Sequence, residues 1–188
     1  MKPLILYSKR APQVIRIMCT DLNKLICSEM ETNFDESSIY EIKELVELNE
    51  CKGCIYFETT KRAAFVWLSS LEGPTIKLRL MNVKLMKFFL GNALKDCAAE
   101  LIFTKDFDEN ELSHFRSLVV SLLKSDKPKD RVISFFYHEN TIIMRIYSLK
   151  DGGLEEIGPR MDLVLEKVLE GTFNGKTLFN KSLIEDKN

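Results

Sequence analysis

The hydrophobic period of this chain runs through one cycle twice, and that recurrence limits the folds open to it. An apolar run at residues 4–7 is followed by Val14, Ile17, Met18, Leu22, Leu25 and Ile26 at the three-four spacing of an amphipathic helix, with Pro12 suited to its first turn. A second helix is predicted from Ser38, where Ser38 and Glu41 form a capping box ahead of Ile42, Leu45 and Val46. From Cys54 the period changes to two. Residues 54–57, 64–68 and 75–81 are separated by Thr60-Lys61-Arg62 and Glu72-Gly73-Pro74, which predicts an antiparallel meander.

After Gly91 the cycle restarts. A strand at 101–104 leads into a helix capped by Asp108 and carrying Leu112, Phe115, Leu118, Val119 and Leu122. Strands at 132–138 and 141–147 join at Glu139-Asn140, and a last helix is predicted from Pro159 with Met161, Val164, Leu165, Val168 and Leu169 inward. The expected fold is α+β, two related α/β halves with mixed or antiparallel sheets. The halves span about 1–92 and 93–180 of one domain, and 181–188 form a short tail. The repeat is one of element order, not of residue identity.

With 188 residues, 45% of them hydrophobic, the chain can bury one substantial core. It contains no run of about eighteen apolar residues, and residues 1–7 lack the pattern of a secretory signal, so a soluble intracellular protein is expected. Cysteines at 19, 27, 51, 54 and 97 are odd in number and irregular in spacing, which suits a reducing compartment.

Net charge is −1, which argues against indiscriminate attraction to nucleic acid, but the charge is unevenly distributed. Residues 21–50 hold nine acids against Lys24 and Lys43. Between 51 and 95, Lys52, Lys61, Arg62, Lys77, Arg79, Lys84, Lys87 and Lys95 face only Glu58 and Glu72. In the last strand of the meander, Lys77 and Arg79 alternate with Ile76, Leu78 and Leu80, so both bases project from the face opposite the core.

Signals for catalysis are weak. Cys51 and Cys54 form a CxxC, but a tetrahedral zinc site needs four ligands and no second pair has suitable spacing. The motif also precedes a strand, whereas a redox thiolate is stabilised at a helix start; two small residues at a strand's beginning is the favoured reading. There is no GxSxG, Walker-type loop or GxGxxG, so neither an enzyme nor a cofactor or metal is expected. Gly158-Pro159-Arg160 would place exposed amides, a helix dipole and a guanidinium together, an arrangement suited to a phosphate. It reads equally well as ordinary punctuation before a helix.

The stretches CIYFETTKRAAFVWLSSLEGPTIKLRLMNV (54–83), GNALKD (91–96), ELIFTKDFDEN (100–110) and EIGPRMDLVLEKVLEGTF (156–173) resemble the Brix domain family, in order, over residues 2–179. The resemblance implies a two-half α+β fold related to the anticodon-binding domains of some tRNA synthetases. It also implies a non-enzymatic role in the nucleolus, binding precursor rRNA beside other large-subunit assembly factors, with no small-molecule substrate and no membrane. On this sequence the implied RNA contacts fall on Lys9, Arg10 and Arg16, and on Lys77 and Arg79. Lys61, Arg62, Lys84, Lys87 and Arg160 are further candidates. Larger members carry extended charged tails, so this chain looks like a reduced version. The alternatives are a small-subunit factor of the same family, a scaffold that touches no RNA, and a thiol-redox enzyme using Cys51 and Cys54.

Overall fold

The computed structural model describes residues 1–32, 34, 39–91, 98–150 and 152–182. The chain runs β1 (Leu4–Tyr7), α1 (Gln13–Leu25), β2 (Glu29–Glu31), α2 (Glu41–Leu48), β3 (Gly53–Thr59), β4 (Ala64–Ser70), β5 (Thr75–Lys84), β6 (Ala98–Phe103), α3 (Asn110–Leu123), β7 (Lys129–His138), β8 (Thr141–Lys150), β9 (Gly153–Glu156), β10 (Arg160–Leu169) and β11 (Thr177–Asn180). These strands form one mixed sheet in the order β2-β1-β3-β4-β5-β10-β8-β7-β6, with β9 on β8 and β11 on β10.

The expected repeat of element order is present in the sheet. β1 lies parallel to β3, which continues antiparallel into β4 and β5. β6 likewise lies parallel to β7, which continues antiparallel into β8 and β10. The two blocks meet along the antiparallel β5–β10 pair, so corresponding loops of the two halves leave opposite ends of the sheet. Both central strands are entered through a cis Gly–Pro bond, Gly73–Pro74 and Gly158–Pro159. The expected boundary at 92/93 falls outside the described residues, as does most of the tail.

Alternation decides which residues enter the core. Ile5, Ile55, Phe57, Val66, Leu68, Ile76, Leu78 and Leu80 share one face with Ile133, Phe135, Ile142, Met144 and Met161. α1 packs on this face through Ile15, Met18, Leu22 and Leu25, and α3 through Leu112, Phe115, Leu118 and Leu122. Ile15, not Val14, begins the inward stripe of α1, and Val14 is exposed. Among the described residues the opposite face is covered by a helix only in the first half, where Ile42 and Val46 of α2 meet Leu4, Leu6, Cys54, Tyr56 and Phe173. In the second half α3 passes directly to β7 with no counterpart of α2, so Ile102 and Phe136 remain about half exposed.

Three expectations are corrected. The segment from Pro159 is a strand, β10, and not a helix. Its inward residues Met161, Leu163 and Leu165 alternate, but a bulge against β5 between Leu165 and Lys167 shifts the phase and turns Val168 inward. Read as a sequence, that phase shift imitates three-four spacing. Asp108 is not a cap: α3 starts at Asn110 behind Glu109 without a side-chain cap, while Asp108 lies in a short 3-10 turn (Lys105–Asp108) and pairs with Arg116. The capping box fails in part as well, because α2 begins at Glu41 behind Tyr40 with no side-chain cap, and Ser38 lies outside the described residues. The remaining helices and the meander stand where the periods predict them.

Candidate nucleic-acid interface

Because β1 and β3 are parallel, the loop after β1 and the β3–β4 hairpin leave the same end of the sheet. Ser8 N–H donates to the Phe57 carbonyl (3.0 Å) and Thr59 N–H donates to Ser8 Oγ (3.0 Å), which ties the two together. Register extends this end sideways: Ala64 faces Leu80 near the finish of β5, and Lys84 faces Arg160 at the start of β10. Eight of the ten candidate bases, Lys9, Arg10, Arg16, Lys61, Arg62, Lys84, Lys87 and Arg160, therefore gather at one rim. Lys77 and Arg79 lie further down β5.

The rim is built, and its members have distinct roles. Arg16 staples the loop after β1, its Nε donating to the Ala11 carbonyl at 2.9 Å and its Nη2 to the Lys9 carbonyl at 3.2 Å. That use leaves it a positioning residue for Lys9 and Arg10. Thr60 Oγ1 accepts the backbone N–H groups of Arg62 (3.3 Å) and Ala63 (3.1 Å), holding Lys61 and Arg62 outward at the hairpin tip. Arg10, Lys61, Arg62, Lys84 and Lys87 are exposed and make no ion pair with a described residue.

Arg160 is not free. The fork of its guanidinium grips the Glu156 carboxylate, and that hydrogen bonding raises its pKa above the ordinary arginine value. With no helix at Pro159, the expected helix-dipole anion site does not exist. The guanidinium instead lies 5.2 Å from the Phe89 ring, which Lys84 approaches at 4.7 Å.

Lys77 and Arg79 do project from the face opposite the core, as their alternation requires. Each meets a carboxylate there. Lys77 Nζ is 3.0 Å from Glu58, whose other donor is Trp67 Nε1 at 2.8 Å, and stands 4.0 Å from the Phe65 ring. Arg79 Nε lies 2.8 Å from Glu166 Oε1, an ionic contact without hydrogen-bond alignment. Both carboxylates come from other strands, Glu58 from β3 and Glu166 from β10.

The corresponding loops of the second half have the opposite charge. Where the loop after β1 carries Lys9 and Arg10, the turn after β6 carries Asp106, Asp108 and Glu109 against Lys105; where the β3–β4 tip carries Lys61 and Arg62, the β7–β8 tip carries Glu139. A cleft of about 460 Å³ opens between these loops and β11, lined by Asp106, Glu109, Glu111, Tyr137 and Phe179. Burial, then Glu111 and Asp106, push the Tyr137 phenol above its ordinary pKa. Three carboxylates against Lys181 give this cleft the opposite charge balance to the basic rim.

Cys51 and Cys54 are buried in the α2 core, and the Cys51 thiol donates to the Asn49 carbonyl at 3.5 Å. Burial raises the pKa of both thiols. No group of three or more metal-ligating side chains occurs among the described residues, and no helix among them is long and apolar enough to cross a membrane.

The segment after β5 contributes Lys87 to the candidates marked by the sequence, but none of the apolar residues around that lysine. Its apolar run, Leu85, Met86, Phe88, Phe89 and Leu90, broken by Lys87 and lying outside every predicted element, is the signal that marks it. Phe88 is 60% exposed and Leu90 98% exposed.

Fold and rim together define a class: a two-half α+β domain whose distinctive chemistry lies on charged loops at the edge of a single sheet. The chain belongs to the Brix domain family, whose family model matches residues 8–167. It is 32% identical over 191 residues to "Ribosome biogenesis protein BRX1 homolog" of Pongo abelii, covering 92% of this chain and 54% of that protein. To the protein of the same name from Xenopus laevis it is 31% identical over 189 residues, covering 92% and 56%. The chain thus spans about half the length of these relatives. A crystal structure of a "probable ribosomal biogenesis protein" from Aeropyrum pernix K1 shares the fold, with a TM-score of 0.60 and 15% identity over 87% of this chain and 96% of that one.

Proposed function

We propose that this chain is a ribosome biogenesis factor of the BRX1 type that binds precursor rRNA during large-subunit assembly in the nucleolus, beside other assembly factors. Residues 1–180 act as one Brix domain whose halves divide near 92/93. It works by binding and not by catalysis, and the buried Cys51 and Cys54, with thiolates disfavoured, support that reading. One observation carries it: five exposed bases without an ion pair to any described residue, Arg10, Lys61, Arg62, Lys84 and Lys87, share a rim held by backbone hydrogen bonds. Cations already positioned need little ordering to neutralise phosphates, and each phosphate neutralised releases counterions. Lys77 and Arg79 are secondary contacts, because RNA must compete with Glu58 and Glu166 for them.

The test is a salt series. K61A/R62A flattens the dependence of log affinity on log salt by about 0.7–0.9 for each phosphate that is no longer neutralised, and weakens unrelated RNA sequences alike. K77A/R79A changes the slope less. An unaltered slope and affinity in K61A/R62A removes the rim from the RNA site. Crosslinking to precursor rRNA with mapped sites then locates the contact in the assembly. The second half's outer sheet face, where Ile102 is 48% and Phe136 45% exposed, favours a protein partner as a second engagement of the same factor.

A further inference from the structure

The segment between β5 and Gly91 presents an aromatic ring that the core does not use. Leu85 is buried, Met86 N–H donates to the buried Asp21 carboxylate of α1 at 3.0 Å, and Phe88 N–H closes a tight turn onto the Leu85 carbonyl at 3.1 Å. Phe89 packs against Gly158 so closely that a Cβ there would overlap its ring, and Gly158 has φ +60°. The backbone on both sides of Phe88 is therefore fixed from behind. Phe88 itself is 60% exposed.

Ordinary folding drives such a ring inward, since burying a phenylalanine stabilises a protein by about 1.5–3 kcal/mol. Here Leu85 is buried and Phe89 packs against Gly158, whereas Phe88 stays out, as does Leu90. Two lysines without an ion pair to a described residue flank it in sequence: Lys87 Nζ is 5.1 Å from the Phe88 ring, and Lys84 is exposed at the end of β5. An exposed ring on a held backbone, with Lys87 against it and Lys84 on the adjoining Phe89, matches single-stranded nucleic acid, where bases stack on aromatic faces and phosphates follow the positive charge. A protein anchor of the same shape would need acidic complementarity around an apolar knob.

Resting on the RNA-binding reading above, we propose that Phe88 is a stacking platform for one unpaired base of an RNA strand whose phosphates run along Lys84 and Lys87. The aromatic face binds any base, so the platform selects for single-strandedness and not for sequence. Duplex RNA keeps its bases stacked internally and cannot use it. The rim bases read only backbone, whereas Phe88 distinguishes a bulge, loop or open end from a helix.

The experiment uses the full chain with an oligouridine and an RNA duplex as probes, and compares wild type with F88L, F88W and K61A/R62A. F88L keeps an apolar side chain without the π face. It should lose about tenfold or more in affinity for the oligouridine and little for the duplex, while F88W retains binding. The emission of the new indole should be quenched by the oligouridine beyond any change from Trp67 in the wild type, and should be indifferent to the duplex. If F88L binds both probes like wild type and F88W is unquenched, while K61A/R62A still flattens the salt dependence, the platform is refuted and the RNA-binding reading stands. If wild type binds neither probe, both fail. Loss of a protein partner by F88L with RNA affinity intact would assign the ring to a protein and overturn the proposal.

Discussion

Arg131 offers the sharpest test of how the two halves are joined. Its side chain has no exposed surface, a charged group near the start of a strand that also buries Val132, Ile133 and Phe135. From β7, in the second half, its Nη1 donates to the Leu25 carbonyl at the end of α1 in the first half (3.1 Å), and its Nε lies 2.5 Å from Asp130 Oδ1. A cation at a helix C-terminus also meets the negative end of the dipole. Replacing Arg131 with Met keeps much of the volume but leaves the Asp130 carboxylate, only 14% exposed, and a helix-end carbonyl without this partner. Removing one member of a buried pair costs about 3–5 kcal/mol, a large part of the 5–15 kcal/mol that typical domains possess. For a chain of this length that lowers Tm on the order of 10 °C. Urea unfolding and calorimetry measure it, and D130N/R131M should recover part of the loss because the charge that Arg131 offsets is removed with it. A variant R131M within about 1 kcal/mol of wild type would refute the account, because such a small change means the guanidinium supports neither α1 nor Asp130.

Gly158→Ala forces a Cβ into the Phe89 ring at a left-handed backbone position, and should destabilise by about 1–3 kcal/mol, read as a lower urea midpoint. Asp108→Ala should stay within about 0.5 kcal/mol of wild type, since the exposed pair with Arg116 replaces the cap expected there; a loss near that of a true cap would restore the capping role. Burial raises the Cys19 and Cys54 pKa values above the ordinary 9.0, so the folded chain holds protons that the unfolded chain releases. Their contribution is complete below pH 9 and falls above it by about 1.4 kcal/mol per pH unit for each thiol. Comparing wild type with C19A/C54A isolates the thiols from Lys52, whose pKa is lowered by burial and acts in the opposite sense.

The fold was legible where one hydrophobic period persists long enough to be counted. α3 buries all five residues that its spacing selects, and β5 puts Ile76, Leu78 and Leu80 inward with Lys77 and Arg79 outward. β10 defeated the same reasoning because one bulge changes phase in mid-strand, and no local residue announces it. β2, β9 and β11, at three or four residues, are too short to display any period, and exist because a neighbouring strand offers hydrogen bonds. The bases of the rim were legible as residue types. Their gathering was not, since it follows from β1 lying parallel to β3 and from Lys84 facing Arg160. Nor does alternation reveal Glu58 and Glu166, which reach Lys77 and Arg79 only after strands pair. Arg131 reads as a surface charge until α1 is laid over β7.

Averaged over the molecule, a net charge of −1 leaves little attraction for a polyanion, but the two ends of this molecule do not average. The β3–β4 and β7–β8 tips are separated by four strand spacings, on the order of 20 Å sideways alone, and the loops after β1 and β6 by seven, roughly 30 Å. Screening at about 0.1 M salt decays over about 10 Å, so Asp106, Asp108, Glu109 and Glu139 lie two or three Debye lengths from Lys9, Arg10, Lys61 and Arg62. A phosphate arriving at the basic rim therefore responds to the bases beside it and hardly to the acids beyond. Lowering the salt lengthens that reach, and near 0.01 M the Debye length of about 30 Å spans the molecule. The affinity of the rim for RNA should then rise less steeply than the phosphates it neutralises alone require. Removing Glu139 and Asp108 by alanine substitution should steepen the slope only in that low-salt range; a change confined to 0.1 M and above would mean that the acidic loops touch the bound RNA directly.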